Sequence, residues 1–210
     1  MLERIHWLGH DTFRIDGAKT IYFDPYQLSE ETPKADVILI SHDHYDHCSP
    51  EDVAKIQGDE TIIVTIASAA EKLTGDVRIV EPNDTVQVHG IDVVAVRAYN
   101  VNKFRRPGEP FHPQEAGHVG FVITVDKTCI YHAGDTDCIP EMEELEDIDI
   151  ALLPVSGTYV MTAEEAAQAA EVIQPEIAIP MHVGRGIGSL EAAETFKEQA
   201  PVDVVILELE

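Results

Sequence analysis

The sequence predicts an α/β sandwich built in layers, and three observations carry that prediction. Short apolar runs of strand character recur along most of the chain. Three segments open with helix-capping chemistry. Helices and strands do not alternate one for one, which favours β-rich halves, each finishing with helix and strand, over a regular βαβ Rossmann arrangement.

The chain opens with strands over Ile5–Leu8, Thr12–Ile15 and Thr20–Phe23, and Gly9-His10-Asp11 and Asp16-Gly17 supply the turns. Val37–Ser41 is an almost unbroken apolar run, as expected of a strand buried on both faces. Ser49-Pro50-Glu51-Asp52 then starts a helix: serine caps, proline sits in the first turn and the acids favour the N-terminal dipole. Strand patterns follow at Ile62–Thr65, Val77–Val80, Thr85–Val88 and Ile91–Ala98. From Tyr99 to about Ala116 the chain is polar and contains Pro and Gly, a loop long enough to suggest function. Strands resume at Val119–Val125, Thr128–His132, Ile148–Pro154 and Ile177–Pro180. Thr162-Ala163-Glu164-Glu165 is a capping box for a helix to about Ile173. Ser189 caps a last helix through Glu198, and Val202–Leu207 closes as a strand.

The 210 residues suffice for one domain, 1–210, with a real core, and 44% hydrophobic with 25% charged content is globular rather than disordered. No apolar run approaches the roughly 20 residues needed to span a bilayer. The N-terminus lacks a signal-peptide apolar region, so a cytoplasmic location is expected. Cys48, Cys129 and Cys138 show no C-x-x-C spacing and read as small buried residues. The net charge of -25 argues against long nucleic acid and against membrane surfaces, since phosphates would be repelled. One stretch departs from that charge: Arg97, Lys103, Arg105 and Arg106. It reads either as a solvated loop or as a cationic lip for an anionic small-molecule substrate.

The chemistry concentrates in residues 42–47, His42-Asp43-His44-Tyr45-Asp46-His47, directly after the apolar strand. Residues two apart at a strand end point the same way, so His42 and His44 converge on one point. The turn toward Ser49 aims Asp46 and His47 at a second point nearby. Imidazole and carboxylate suit Zn²⁺, Mn²⁺ and Fe²⁺, and two such ions can share an attacking hydroxide. Two further strand ends offer ligands: Asp135 in "YHAGDTD" and His182 in "IPMHVG".

With these motifs the chain resembles the metallo-β-lactamase-fold hydrolase superfamily. It is most similar to the branch of L-ascorbate-6-phosphate lactonase-like proteins and metal-dependent hydrolases, through "WLGHDTFRI", "YFDPY", "YHAGDTD", "LLPVSGTYVMTAEEA" and "IPMHVG". The resemblance implies a four-layer αβ/βα sandwich, two mixed sheets flanked by helices. It implies two divalent ions, most readily Zn²⁺, with Mn²⁺ or Fe²⁺ as alternatives. His42 and His44 would bind the first, Asp46, His47 and His182 the second, and Asp135 would bridge. The remaining ligand is a histidine between the cluster and Asp135. His112, in the long loop just before a strand, is preferred to His118, which reads as packing, and to His89, which reads as a turn residue.

The implied reaction is attack of a metal-bound hydroxide on a small ester, lactone or phosphoester, with Asp46 as ligand and orienter of the water. His10, His132 and Tyr159 are candidates for a general acid, and His10 is the one carried forward as catalytic beside Asp46. His10 is expected at the pocket rim or on the surface, His132 in packing, Tyr159 on a loop, His6 as an ordinary strand residue, and Asp24 as an orienter of a ligand histidine. A nuclease or phosphodiesterase of the same superfamily, a redox relative and a non-catalytic metal-binding protein are the competing readings. Members of this branch often form oligomers, so a homo-oligomer is compatible with the resemblance.

Overall fold

The computed structural model describes residues 1–210. The first half builds one sheet from six strands: β1 (Ile5–Gly9), β2 (Thr12–Asp16), β3 (Thr20–Phe23), β4 (Ala35–Ile40), β5 (Gln57–Thr65) and β6 (Asp76–Ile79), in that spatial order. β1, β2 and β3 form an antiparallel meander, and β3 to β6 run parallel. Two helices connect the parallel strands, α1 (Pro50–Ile56) and α2 (Ala67–Ala70). As expected, Ser49 caps α1 through its side chain, which accepts from the Asp52 amide.

The second half builds a seven-stranded sheet. In chain order its strands are β7 (Thr85–Val88), β8 (Ile91–Arg97), then, after a two-stranded hairpin of β9 (Phe104–Arg106) and β10 (Glu109–Pro110), β11 (Val119–Val125), β12 (Thr128–His132), β13 (Ile150–Pro154), β14 (Ile177–Met181) and β15 (Asp203–Val204). β12 to β15 run parallel. Helix α3 (Ala163–Ile173) joins β13 to β14, and α4 (Leu190–Gln199) joins β14 to β15. The Thr162–Glu165 capping box is present in both directions, and α3 buries a face of alanines plus Ile173, whose small side chains let it lie close to its neighbours.

One hydrophobic cluster of 56 buried residues draws on both sheets. Phe23 of the first sheet stacks on His132 of the second, ring centroids 4.7 Å apart, which is where the two sheets meet beneath the site. His132 is thus the packing residue the sequence suggested, with Nε2 held by the Asp11 carbonyl at 2.9 Å.

Two expectations need correction. The closing strand over Val202–Leu207 shortens to Asp203–Val204, because at the sheet edge only Ile177 and Ala178 of β14 pair with it. The stretch from Tyr99 to Ala116 is not featureless: it contains the β9–β10 hairpin and a turn of 3₁₀ helix at Gln114–Ala116. The parallel strands determine where function sits. β3, β4, β12, β13 and β14 all end at one edge, and the segments leaving those ends carry Asp24, His42–His47, Asp135, Ser156 and His182. Carboxyl ends of parallel strands are where open α/β sheets form their clefts.

Candidate metal centre

Asp135 lies at the middle of this edge, 3% exposed. On one side its Oδ2 is 3.1 Å from His112 Nε2 and 3.9 Å from His42 Nε2. His44 Nδ1 faces His42 Nε2 at 3.0 Å and His112 Nε2 at 3.3 Å. On the other side, Asp135 Oδ1 is 3.3 Å from His47 Nε2, and Oδ2 is 3.4 Å from His182 Nε2. Asp46 Oδ2 approaches His47 Nε2 at 4.0 Å.

These spacings suit ligation. Ligand atoms about 2.0–2.1 Å from a tetrahedral ion stand roughly 3.3 Å from one another. The contacts around His44 and Asp135 scatter about that value. Three imidazole nitrogens turned on one point cannot satisfy one another by hydrogen bonds alone, because neutral rings share too few protons. His42, His44, His112 and Asp135 together can hold an ion. Buried His47 Nε2 and Asp135 Oδ1 also have no hydrogen-bond partner. An unpartnered buried atom costs about 1–3 kcal/mol, and a cation removes that cost.

The opposite ring edges explain why these nitrogens are free. His47 Nδ1–H donates to Asp24 Oδ2 at 2.8 Å. His112 Nδ1 pairs with Asn100 Oδ1 at 3.0 Å, His182 Nδ1 with Ser156 Oγ at 2.8 Å, and His42 Nδ1 with Ser41 Oγ at 2.9 Å. Fixing one nitrogen sets the ring orientation and presents the other to an ion. Asp24 is buried and also accepts from the Ser41 amide at 2.7 Å and the Ser41 hydroxyl at 2.6 Å, so it has the orienting position the sequence suggested.

The electrostatics agree. Burial opposes ionisation of Asp135, but His47, His182 and His112 outweigh it and hold the carboxyl well below its usual range. Burial also opposes charge on His47, yet Asp135 and Asp24 hold that imidazole well above its ordinary value. His42, by contrast, is pushed well below its own by burial and by neighbouring His47. Asp46 is drawn down to about 2 against its burial by His10 and His47.

The other residues singled out fall as follows. His118 immediately precedes β11 with its ring stacked on His42, centroids 4.8 Å apart; its Nδ1 is buried without a hydrogen-bond partner, and it falls outside the group of His42, His44, His112 and Asp135. His89 is an exposed turn residue with φ of 48°. His6 pairs with Asp16 and Glu210. Tyr159 is 43% exposed beside Phe111. His10 corrects its expectation: it is fully buried rather than at the rim or surface, because its turn is clamped onto the His182 turn of the opposite sheet. The cationic lip narrows to one residue. Arg97 faces Glu141, Lys103 binds Glu165 and Arg106 binds Glu109, whereas Arg105 lies over the Phe111 ring at 5.6 Å and lines the cavity. Sequence reasoning missed Ser41, Asn100, Ser156 and Asp11. Only Ser41 carried a local signal, directly after the β4 end and next to His42; Asn100, Ser156 and Asp11 lie two or three residues past a strand end, and only the fold brings them to the site.

A family model described as a β-lactamase superfamily domain matches residues 4–182. The chain belongs to this superfamily. A metal-dependent hydrolase of Methanopyrus kandleri is 33% identical, with 98% of this chain and 96% of the relative covered. One of Thermoplasma acidophilum is 36% identical over 85% of this chain and 82% of the relative. A solved structure from Parabacteroides distasonis, described as a metal-dependent hydrolase, superposes with a TM-score of 0.84 at 34% identity, covering 98% of this chain and 93% of that one. A Thermotoga maritima protein described as a hydrolase of the metallo-β-lactamase superfamily shares the fold with a TM-score of 0.66 at 21% identity, covering 98% of each chain. The two mixed sheets with their helices are therefore the metallo-β-lactamase fold.

Proposed function

We propose that this protein is a dinuclear metal-dependent hydrolase of small ester, lactone or phosphoester substrates, working as one domain over 1–210. His42, His44 and His112 would hold the first ion and Asp46, His47 and His182 the second, with Asp135 as the carboxylate shared between them. The observation that carries this reading is the set of ring nitrogens turned inward around Asp135, four of them on rings anchored from behind. When bound, the ions supply a water acidified toward neutral pH and polarise the substrate oxygen. Imidazole and carboxylate donors suit Zn²⁺ first, with Mn²⁺ and Fe²⁺ as alternatives.

The protein's own groups do the rest. Asp46, ionised and lining the cavity, would orient the attacking water. Of the three candidate proton donors, Tyr159 alone lines the cavity, which favours it over His10 and His132 as the group that would protonate a leaving group. The cavity has a volume of about 740 Å³, in the range of small-molecule sites. Phe111 and Tyr159 give it an apolar wall, and Arg105 supports a preference for anionic substrates. Three unpaired cysteines accord with a reducing cytoplasm, and no helix is long and apolar enough to cross a membrane.

The test is a screen of lactones, carboxylic esters and phosphodiesters with chelator-stripped protein and with protein reloaded with Zn²⁺, Mn²⁺ or Fe²⁺. Turnover that appears only on reloading, and falls by orders of magnitude in His112→Ala, supports the reading. Metal-bound protein inert toward every class would favour the non-catalytic metal-binding alternative.

A further inference from the structure

The turn Gly9-His10-Asp11 is built in a way that the six ligands and Asp135 do not explain. Gly9 and His10 both have positive φ, 103° and 54°. The His10 amide donates to the Val183 carbonyl at 3.0 Å, and the His10 carbonyl accepts from the His182 amide at 3.3 Å and from Trp7 Nε1 at 3.0 Å. His182 has a φ of 59°. Two histidines in the sparsely populated left-handed region are thus bonded backbone to backbone across the two sheets, with ring centroids 4.4 Å apart. Strain of this kind persists only where the surroundings enforce it, and it clusters at ligand sites.

The side chains carry a second anomaly. His10 and Asp11 are both fully buried. Neither ring nitrogen of His10 and neither carboxylate oxygen of Asp11 has a hydrogen-bond partner. His10 Nε2 does lie 3.2 Å from Asp46 Oδ2, but not in hydrogen-bonding alignment, and Asp11 Oδ2 lies 3.7 Å from His47 Nδ1, whose proton is already given to Asp24. A buried carboxylate and a buried imidazole without partners are among the most unfavourable groups a core can hold. His10, Asp11, His47 and His182 each offer a ligand atom within 4.8 Å of the others'. A divalent cation among them satisfies both orphaned groups at once.

Resting on the metal reading above, we infer that the Gly9-His10-Asp11 turn contributes ligands to the second ion: one ring nitrogen of His10 and the Asp11 carboxylate, joining His47, His182 and Asp46. The second position then has three imidazoles, as the first has in His42, His44 and His112, and more carboxylate than the first. The two positions differ in their anionic donors.

The test uses the Co²⁺-loaded full chain and reads coordination rather than turnover. Proton NMR of the wild type counts the strongly shifted, exchangeable imidazole N–H signals. Six are expected, falling to five in His10→Gln. In parallel, competition with a chromophoric chelator is expected to show at least a 100-fold weaker second ion in Asp11→Asn, with the first unchanged. Five signals in the wild type, all six retained in His10→Gln, or a second ion in Asp11→Asn held within threefold of wild type would overturn the inference. The wild-type count does not depend on either variant folding. Two bound ions with five signals refute this inference alone, whereas no bound cobalt refutes the metal reading beneath it.

Discussion

Replacing Asp24 by Asn tests whether the ring orientations create the metal centre. The change keeps the shape of a buried side chain that accepts from His47 Nδ1 at 2.8 Å, from the Ser41 hydroxyl at 2.6 Å and from the Ser41 amide at 2.7 Å. An amide has one acceptor oxygen for these three donors. If that oxygen stays on the Ser41 amide, the new NH₂ group faces the His47 N–H, and the ring must lose its bond or move its proton to Nε2, where the ion would sit. One buried donor left unpaired costs about 1–3 kcal/mol. Loss of a group that anchors a metal ligand costs about 10–100-fold in metal affinity, equivalent to roughly 1.4–2.8 kcal/mol. The two estimates agree. The assay is chelator competition on stripped protein, with Zn²⁺ and Co²⁺, at neutral pH. The expected result is a 10–100-fold weaker second ion, with the first, held by His42, His44 and His112, changed far less. Affinity within threefold of wild type at both positions would refute the argument that back-side hydrogen bonds set the site.

Two further outcomes are expected. Arg105→Ala should raise KM for a carboxylate- or phosphate-bearing substrate about tenfold, the equivalent of roughly 1.4 kcal/mol, with kcat nearly constant and a neutral analogue unaffected; equal effects on both substrates would remove Arg105 from recognition. Asp52 is the pH probe. Burial alone would raise its carboxyl, but Ser49, Lys55 and the Gln27 and Leu28 amides outweigh burial and lower it. A depressed carboxyl stabilises the fold above its unfolded value of about 3.9 and loses that contribution as pH falls through the lower folded value. Asp52→Asn should therefore be less stable than wild type by about 1–3 kcal/mol at pH 7. Urea unfolding of the metal-free proteins should show the gap closing only below about pH 4, and a gap that closed already at pH 6 would contradict the assignment.

Most of the fold was legible because its signals are local. The Ser49 cap, the Thr162–Glu165 box and the apolar run into Ile40 each state their structure within a few residues. The same holds for His42, His44, Asp46 and His47, whose spacing is a strand end followed by a turn. Asp135 and His182 were readable as strand-end ligand candidates, but the choice of His112, and the meeting of all three with the cluster, needed the family resemblance, since nothing in their own segments says that these distant segments meet. What escaped was long-range by nature. The burial of His10 depends on amide and carbonyl contacts with residues 182 and 183, and the anchors Ser41, Asn100 and Ser156 matter only through the ring behind which each lies. The charge of Arg97, Lys103 and Arg106 was equally unreadable in advance, because its neutralisation comes from Glu141, Glu165 and Glu109, two of them far along the chain.

The central claim is that the chain holds two ions around Asp135, and metal content tests it most directly. Protein purified without affinity tag or chelator should contain two zinc, manganese or iron atoms per chain by elemental analysis. His112→Ala and His182→Ala should each reduce that to one, from opposite positions. No bound metal in the wild type, even after reconstitution, or two atoms retained in both variants would contradict the account.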